Sequence, residues 1–593
     1  MPEVPKPYLS PLHAKPWVLR SYGFVADGER GALIDPDGTV VWLCAPRWDS
    51  DAVFSQLIGG PGGFRVCPED DWRVWGGSYE DGTLIRVSRW TQVDSIVECR
   101  EALAMPASPD RLVLLRRIRA VRGEARVSVL MDARPGFGAH TMSGGRTESG
   151  VWHARAGGHH LRLTGMDRPE PHPEGGVRRR LVLPEGAHHD LVLEISDHEC
   201  TDVLDPDALW HATEQEWRRR VPDCQGLAAP RDARQAYAVL QGMTTSTGGM
   251  VAAATTSLPE RANAGRNFDY RFTWIRDQCY AGLAVAAHGP HPLLDGSVRF
   301  VAERILEHGP ELKAVYRTDG SSAPPEQRLR LSGYPGGGDK VGNNAATQFQ
   351  LDAYGEALEL FSAAARLDRL DEDGRRAAAV AVEAIGDNWR AKDAGIWELE
   401  ERWWTHSRLS AVAGLKAAAR SVPGVDAENC RALARTIGDE ARSRCLHRDG
   451  YWQRAEDDEG VDAALLMAFV RGALPEGDPS AARTRQEITE RLTDDGYVYR
   501  FRHSGAELGE EEGAFLLCSH MMAMAELAGG DRVGAVRWFE RARAACGPPA
   551  LFSEEYDVHQ RQLRGNMPQA FVHAMLLETA VHLARPEPVL HWQ

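Results

Sequence analysis

Several features that mark common classes of protein are missing from this sequence. No basic stretch offsets a formal net charge of −16, which argues against a nucleic acid partner. No apolar run reaches the ~18–20 residues that a membrane span needs. The opening MPEVPKPYLSPLHAKPW (1–17) lacks the hydrophobic core of a secretory signal peptide. We therefore expect a cytoplasmic protein that has neither a nucleic acid nor a membrane as its partner.

Paired cysteines are lacking as well. The 10 cysteines include no CxxC pair and follow no regular spacing, so the sequence indicates neither a zinc site nor a redox motif. We expect scattered reduced thiols, with no bound metal and no cofactor.

What is present is enough chain for two or three folding units, since 593 residues exceed the usual size of one domain. Up to about residue 200, apolar and polar residues alternate in short segments separated by PDG, EDG and PEG turns, which predicts an antiparallel β-sandwich. Examples are ALIDPDGTVVWLC (32–44), DGTLIRVSRWTQV (81–93) and RLVLLRRIRAV (111–121). A charged segment, DALWHATEQEWRRRV (207–221), reads as a linker helix.

From about residue 230 the period changes to 3.6 and predicts about a dozen helices rich in Ala and Leu. Examples are AATQFQLDAYGEALELFSAAARL (345–367) and PQAFVHAMLLETAVHLA (568–584). A closed double ring of helices suits this number and length. Periodicity alone does not distinguish such a ring from a helical solenoid.

The loop IWELEERWW (396–404) places three carboxylates among three tryptophans. A sugar-binding cleft uses both kinds of residue, since aromatic faces stack on sugar rings and a carboxyl group must carry a proton. Glu398 lies directly after Trp397, and an apolar neighbour favours the protonated form of a carboxyl group. Glu400 and Glu401 add charge of the same sign, which acts in the same direction. The alternative is the start of a helix with an acidic first turn.

Two more loops carry candidate residues. In RNFDYRFTWIRDQCY (266–280), Arg276 and Asp277 can bind several sugar hydroxyls and Trp274 offers a stacking face; an Arg–Asp ion pair beside a packed tryptophan is the alternative. In LFSEEYDVHQRQLRGNMPQAFVH (551–573), Glu554 and Glu555 precede a Tyr–Asp turn. A carboxylate there can activate a water molecule, unless this is only a solvated acidic loop. Two carboxylates on separate loops plus a sugar clamp are the working parts of a glycosidase.

Taken in order, these segments resemble glycoside hydrolase family 15, the glucoamylase family. The resemblance runs nearly end to end and implies an N-terminal antiparallel β-sandwich (1–205), a linker helix (206–229) and an (α/α)6 barrel (230–593). The segments that carry it are SYGFVADGERGALIDPDGTVVWLCAPRWDSDAVFSQLIGG (21–60), RNFDYRFTWIRD (266–277), GNNAATQFQLDAYGE (342–356), IWELEERWWTHSR (396–408), EEGAFLLCS (511–519) and FSEEYDVHQRQLRGNMPQAFVH (552–573).

The resemblance also implies roles for individual residues. Glu398 is then the general acid and Glu554 the general base of an inverting hydrolysis that releases β-glucose from a non-reducing end. The other implied site residues surround the terminal glucose: Arg276 and Asp277 grip it, Trp274 and Trp397 line its subsite, Glu555 neighbours the base, and Tyr556, Gln569 and His573 belong to the surrounding shell.

One segment departs from the pattern of the bacterial members of the family. In LSGYPGGGDKVGNNAATQFQLDAYGE (331–356), Lys340 stands where an arginine is usual and glycines replace bulkier residues. Because this loop should border the active site, it bears on the choice of substrate. No starch-binding domain is evident, so we expect a small-molecule glucoside of the isomaltose or maltose type, and trehalose is the alternative. A phosphorylase and a non-catalytic sugar sensor are alternatives of other classes, and the protein can be a homo-oligomer.

Overall fold

The computed structural model describes residues 15–173, 175–503 and 505–585. Most of the opening segment in which we found no signal peptide lies outside these residues, as does the end of the chain from residue 586. Within the described residues, no helix combines the length and the apolar character that crossing a membrane requires.

The N-terminal region is built from two eight-stranded sheets in which the paired strands are antiparallel, so the predicted sandwich is confirmed. One sheet has the strand order β1-β2-β3-β5-β10-β15-β14, with β4 beside β3, and the other has the order β11-β12-β13-β16-β9-β8-β7-β6. The strands are β1 (Gly23–Ala26), β2 (Gly31–Ile34), β3 (Thr39–Cys44), β4 (Ala52–Phe54), β5 (Gly63–Pro68), β6 (Val74–Tyr79), β7 (Arg86–Thr91), β8 (Ile96–Leu103), β9 (Arg111–Arg122), β10 (Ala125–Asp132), β11 (Met142–Glu148), β12 (Val151–Ala156), β13 (His159–Thr164), β14 (Glu170–Pro171), β15 (Val177–Leu183) and β16 (His188–Ser196).

Alternation along the strands produces the core between the two sheets. In β7, Ser88 and Trp90 are buried whereas Arg89 and Thr91 are exposed, as the two-residue period of a strand requires. Strands β9 and β16 pair over nine residues, from Arg111↔Ser196 to Arg119↔His188. That register sends Leu114 and Leu193 into the same core.

The rest of the chain is mainly helical. Its helices are α1 (Pro206–Arg220), α2 (Pro230–Met243), α3 (Ile275–His288), α4 (Pro292–His308), α5 (Asp352–Arg366), α6 (Glu372–Asn388), α7 (Thr405–Ser421), α8 (Ala427–Cys445), α9 (Leu465–Val470), α10 (Pro479–Arg491), α11 (Leu516–Ala528), α12 (Arg532–Arg543) and α13 (Ala570–Ala584). The loops between them contain short strands: β17 (Thr273–Trp274), β18 (Val315–Tyr316), β19 (Gln327–Arg328), β20 (Lys340–Val341), β21 (Thr493–Asp494), β22 (Tyr497–Val498), β23 (Ala514–Phe515), β24 (Glu555–Asp557) and β25 (Gln562–Arg564).

Helix contacts decide between a ring and a solenoid. Helices α3, α5, α7, α9, α11 and α13 each pack on the next, and α13 returns to pack on α3, so they close a ring. Helices α2, α4, α6, α8, α10 and α12 lie outside it. Apolar character agrees with this placement, since α11 (LLCSHMMAMAELA) is buried almost all round whereas α12 (RVGAVRWFERAR) buries one face. The (α/α)6 barrel is therefore confirmed.

The inner and outer helices also begin differently. Four outer helices (α6, α8, α10 and α12) start at an aspartate whose carboxylate accepts a hydrogen bond from a backbone N–H of the first turn: Asp371, Asp426, Asp478 and Asp531. The inner helices α3, α5, α7, α11 and α13 have no side-chain cap. The positive ends of these helix dipoles give that end of the barrel a partial positive charge that favours carboxylates.

Helix α1 packs on the sandwich rather than spanning open space. Thr213 accepts a hydrogen bond from the backbone N–H of Met105 at 3.0 Å, and the guanidinium of Arg100 lies 4.4 Å from the Trp210 ring centroid. The helix ends at Arg220, and α2 begins only at Pro230. The boundaries 1–205, 206–229 and 230–593 remain our proposed division of the chain.

The sandwich and the barrel share one apolar core and also meet through polar contacts. Trp42 of the sandwich donates its indole N–H to the carbonyl of Ala254 at 2.8 Å. Arg271, buried and paired with Asp269 at 2.7 Å, donates to the carbonyl of Ser50 at 2.8 Å. The sandwich thus anchors the loop that precedes α3, and this loop carries several residues of the site described below.

Candidate active site

A cavity of about 230 Å³ lies at the end of the barrel where the inner helices begin. The loops that enter α3, α5, α7, α11 and α13 supply its walls. It brings together four residues predicted from the sequence, Arg276, Trp397, Glu398 and Glu554. Further walls come from Glu260, Phe268, Tyr270, Arg500, Phe515 and Phe571.

Glu398 lies in a turn, so the alternative of a helix start is wrong for this stretch. Its backbone adopts φ 58°, a left-handed conformation that costs free energy for a residue with a side chain. Its Oε1 accepts a hydrogen bond from Trp274 Nε1 at 2.5 Å and lies 3.5 Å from Arg276 Nη1. The side chain is 23% exposed. The turn thus directs this carboxyl group into the cavity against two donors.

The surroundings of Glu398 differ from the expected ones. Glu400 and Glu401 are exposed, and Glu400 pairs with Arg402. Trp403 packs beneath the guanidinium of Arg408 at 4.6 Å, away from the cavity. The carboxylates and tryptophans at the end of the loop therefore stabilise the loop and the start of α7, and of the three tryptophans in this loop Trp397 is the one that lines the cavity.

Arg276 and Asp277 lie at different depths relative to the cavity. Arg276 lines the cavity and donates to the carbonyl of Ile396, while Asp277 lies behind it and pairs with its Nε at 3.1 Å. Burial raises the pKa of Asp277 to about 6. The ion pair of the alternative interpretation is present, and it presents one member, Arg276, to the cavity.

The two predicted tryptophans also separate. Trp397 lines the cavity, and its indole N–H is held by Asp462 Oδ1 at 2.9 Å. Trp274 is buried behind Glu398 and its ring is nearly perpendicular to that of Tyr270, with the centroids 5.4 Å apart. Trp274 thus contributes its N–H group to Glu398, and the stacking face predicted for it does not line the cavity.

Glu554 is buried, so the alternative of a solvated acidic loop is wrong. Its backbone carbonyl accepts from the N–H of Leu516, which ties it to the start of α11 at 3.1 Å. The Tyr270 hydroxyl hydrogen-bonds to its side chain. Burial, and secondly the nearby carboxylate of Glu260, raise the pKa of Glu554 well above the usual range. A side chain at Gly565 would come within 3.1 Å of the Glu554 carboxylate, so glycine leaves room for it.

Glu555 and Tyr556 follow in strand β24 and alternate in direction. Glu555 accepts from the N–H of Gly513 at 2.7 Å, and Tyr556 stacks on Tyr497 with ring centroids 4.5 Å apart. Neither belongs to the lining of the cavity. His573 is buried behind the loop, where it accepts from the N–H of Phe552 and where burial lowers its pKa to about 3. The hydrogen bond from the N–H of Gln569 to the carbonyl of Phe552 anchors the same loop.

Sequence reasoning named Glu555 but missed the charged residues that cluster with it beside Glu554. The carboxylates of Glu260, Glu512 and Glu555 have oxygens within 4.8 Å of one another, close enough to share a metal ion. Arg500, which lines the cavity, pairs with Glu512, and Arg266 pairs with Glu260 at 2.7 Å. These guanidinium groups already neutralise much of the acidic charge. No local signal joined these residues, because they come from loops far apart in the sequence.

The segment that departs from the family pattern forms one rim of the cavity. Glu326 lines the cavity and pairs with Lys340 Nζ at 3.1 Å, and Lys340 lies 5.3 Å from the Phe268 ring centroid. Its glycines permit close approach, since a Cβ at Gly338 would lie 2.0 Å from Asn267 Oδ1. The loop therefore borders the cavity, as expected from the resemblance.

Comparison with known proteins agrees with this geometry. The family description "Glycosyl hydrolases family 15" matches residues 233–581, which is more than half of the chain. This chain belongs to glycoside hydrolase family 15. The description "Trehalase-like, N-terminal" matches residues 12–159 of the same chain. The sequence-based predictions of the family and of a glycoside hydrolase are confirmed.

Among curated relatives, a trehalase of Mycobacterium tuberculosis is 31% identical, over 98% of this family 15 chain and 91% of its own length. Trehalase 1 of Sulfolobus acidocaldarius is 28% identical, over 94% of this chain and 98% of its own. An isomaltose glucohydrolase of Kribbella flavida is 27% identical, over 51% of this chain and 77% of its own. A bacterial glucoamylase complexed with acarbose shares the fold, with a TM-score of 0.72, 14% identity and coverage of 99% and 96% of the two chains.

Proposed function

We propose that this family 15 hydrolase cleaves α,α-trehalose into two molecules of glucose. The observation that carries the proposal is the extent of the likeness to trehalases. Six curated relatives named trehalase align with 93–98% of this chain, through both the sandwich and the barrel. The isomaltose glucohydrolase aligns with 51%. This reverses the order of preference drawn from the sequence, in which isomaltose and maltose came first and trehalose second.

In the proposed reaction Glu398 is the general acid. It donates its proton to the oxygen between the two glucosyl units as the bond breaks, and the second glucose leaves with its own anomeric carbon unchanged. Support comes from its partly exposed carboxyl group, which reaches the cavity from a strained turn. Trp274 Nε1 and Arg276 Nη1 both contact Oε1, which orients the group and leaves Oε2 for the proton.

Glu554 is the general base of the proposal. In its ionised form it accepts a proton from a water molecule that attacks the opposite face of the anomeric carbon, which inverts that centre to β-glucose. An intervening water requires the two carboxyl groups to be ~6.5–9.5 Å apart. Arg500, Tyr270 and Arg276 support the ionised form, since each acts to lower the pKa of Glu554 against the effect of burial.

The remaining cavity residues bind the sugar in this proposal. Trp397 and Phe515, whose ring centroids are 5.4 Å apart, offer apolar faces to a sugar ring. Arg276 and Arg500 offer guanidinium donors to its hydroxyl groups. Asp277 acts through Arg276, and Glu555, Tyr556, Gln569 and His573 support the loop that carries Glu554.

Proton NMR of fresh digests tests the substrate and the stereochemistry together. With trehalose we expect α-glucose and β-glucose to appear first in equal amounts, because inversion changes one ring and leaves the other. Isomaltose and maltose serve as matched disaccharides with the same atoms and other linkages. Faster release of β-glucose from isomaltose than from trehalose would overturn the proposal in favour of the second candidate. Two α-glucose molecules from trehalose would contradict inversion.

A further inference from the structure

Helix α5 turns an acidic face toward the interior of the barrel. Asp352, Glu356 and Glu359 follow one another at intervals of four and three residues, which places them on one side of the helix. All three are buried, with exposures of 0%, 5% and 7%. Burying ionised carboxylates is costly unless each has a cation or hydrogen-bond donors.

The lowest of the three is paired. Glu359 Oε2 lies 3.2 Å from Arg471 Nε, and Arg471 also binds Glu578 at 2.8 Å. This ion-pair group occupies the part of the barrel away from the cavity. Glu359 therefore has its own counter-charge and does not depend on the groups of the cavity.

Asp352 and Glu356, which lie nearer the cavity, share one cation with the carboxyl groups of the candidate active site. Within the described residues, neither oxygen of Asp352 has a hydrogen-bond partner in another residue, and Oε2 of Glu356 has none. The cation that acts on both is Arg276. The same guanidinium already contacts Asp277 at 3.1 Å and Glu398 at 3.5 Å.

The other titratable groups near Asp352 and Glu356 do not neutralise these two carboxyl groups. Arg408 of α7 acts on Asp352 but is paired with Asp393 at 2.8 Å. His406, in the first turn of the same helix, is buried, and burial lowers its pKa to about 3, so it is neutral. From α3, Cys279 and Tyr280 are also near Glu356, and burial raises the pKa of each, which keeps both neutral. Four carboxyl groups thus act on one guanidinium, Asp277 and Glu398 in contact with it and the other two through their charge alone, and they cannot all be ionised there.

We propose that Asp352 and Glu356 hold one proton between them, carried by Glu356, and that this dyad is a positioning pair for Arg276. With one negative charge the dyad anchors the guanidinium from below. With two it would draw Arg276 away from Glu398 toward α5. Burial raises the pKa of Asp352 to about 6, whereas burial together with the charge of Asp352 raises that of Glu356 well above its usual range. The inference rests on the proposed role of Glu398.

Two isosteric variants separate the members of the dyad. Asp352→Asn removes the charge, so we expect kcat/KM to fall about 10- to 100-fold, the scale of a catalytic group displaced by ~1 Å. The basic limb of its pH profile should also move to lower pH by about one unit, because a neighbouring negative charge that favoured the protonated acid is gone. Glu356→Gln copies the protonated carboxyl group, so its loss should be smaller and its basic limb should stay in place.

Glu359→Gln is the matched control, one turn further along the same helix and bound to Arg471. It should leave the pH profile unchanged, whatever its effect on Tm. Equal losses in Asp352→Asn and Glu356→Gln with no movement of the basic limb would mean a merely structural role and would overturn the proposal. A larger loss in Glu356→Gln than in Asp352→Asn would overturn it as well, since the proton would then be assigned to the wrong residue.

Infrared spectroscopy tests the proton without substrate. The difference between the parent protein and Glu356→Gln at neutral pH should contain the carbonyl stretch of a protonated carboxylic acid, and the difference with Asp352→Asn should not. Absence of that band from the first difference would refute the dyad even if trehalose is cleaved. Its presence in a protein that fails to cleave trehalose would sustain the dyad and refute the proposed function alone.

Discussion

Glu398 and Glu554 line the same cavity, but the groups around them differ. Glu398 lies beside an indole N–H and a guanidinium, in a strained turn with part of its side chain exposed. Glu554 is buried just before the short strand β24, with Glu260 as its acidic neighbour and the Tyr270 hydroxyl as its partner. The Glu398 side of the cavity is thus rich in donors, and the Glu554 side is rich in carboxylates.

This contrast teaches that the two carboxyl groups meet a bound substrate from unlike surroundings, one side rich in donors and the other rich in carboxylates. A sugar ring that fills the cavity excludes water from Glu398 and brings the glycosidic oxygen against it. In the proposed reaction a water molecule lies between the sugar and Glu554 and donates a hydrogen bond to its carboxylate. We therefore expect the substrate to change the environment of both groups, and the variants below separate their roles.

The largest effect should come from removing each carboxyl group. Glu398→Gln and Glu554→Gln should each lower kcat on trehalose by about 10²–10⁴-fold, the usual worth of a general acid or base. The roles are separated by α-glucosyl fluoride, whose leaving group needs little protonation. Glu398→Gln should recover much of its activity on that substrate, whereas Glu554→Gln should not. Initial rates on the two substrates measure this.

Recovery of Glu554→Gln on the fluoride, with no recovery of Glu398→Gln, would show that the acid and base are reversed. Circular dichroism of each variant checks that the fold is retained. Azide added to Glu554→Ala provides a second control, because a small nucleophile can replace the activated water but cannot replace a missing acid.

An intermediate effect should follow loss of the donor to Glu398. Trp274→Phe keeps an aromatic ring in the buried position and removes the N–H that contacts Oε1. Activity on trehalose should fall roughly 10- to 100-fold, equivalent to the ~1.5–3 kcal/mol of a hydrogen bond to a charged group. Tyr270→Phe is the counterpart on the other side and removes the hydroxyl partner of Glu554.

The α-glucosyl fluoride comparison distinguishes these two variants as well. Trp274→Phe should lose less on the fluoride than on trehalose, since it acts through the acid, and Tyr270→Phe should lose equally on both. If the ratio of activity on the fluoride to activity on trehalose were the same for both variants, the contrast between the two sides of the cavity would be wrong.

The smallest effect should be a shift of the pH profile in Glu260→Gln. Glu260 is the first charged neighbour that raises the pKa of Glu554. Its neutral isostere should lower that pKa, so the acidic limb of kcat/KM should move to lower pH by about one unit, with little change at the optimum. Initial rates across the acidic range measure the shift. An acidic limb that moves upward would contradict the assignment of the base.

Glu554→Gln, which should lower activity, should raise stability at alkaline pH. The pKa of Glu554 is higher in the folded protein than in an unfolded chain, so the folded state binds more protons. Its contribution to stability is present at pH values below that of an unfolded glutamate and is lost as pH rises through the folded pKa. Glu554→Gln should therefore raise Tm at alkaline pH and have little effect under acidic conditions. Thermal unfolding followed by fluorescence at both pH values compares the Tm of the variant with that of the parent protein.

Much of this protein could be predicted from local sequence. The two-residue period of segments such as 111–121 and the 3.6-residue period after residue 230 set strands before helices, because hydrophobic periodicity is a property of consecutive residues. The motifs around Glu398 and Glu554 indicated the family and two carboxyl groups of the cavity, since each motif lies within one loop.

Tertiary structure decided which side chains share a surface. Periodicity left a ring and a solenoid open, and only the return of α13 to α3 closed the ring. Trp403 stood in a promising motif but packs beneath Arg408, whereas Arg500 and Glu260 gave no local signal and line the cavity. Burial and electrostatic fields depend on residues hundreds of positions apart in the chain. The sequence alone determined the order of elements and the family, and the fold decided the charge around each carboxyl group.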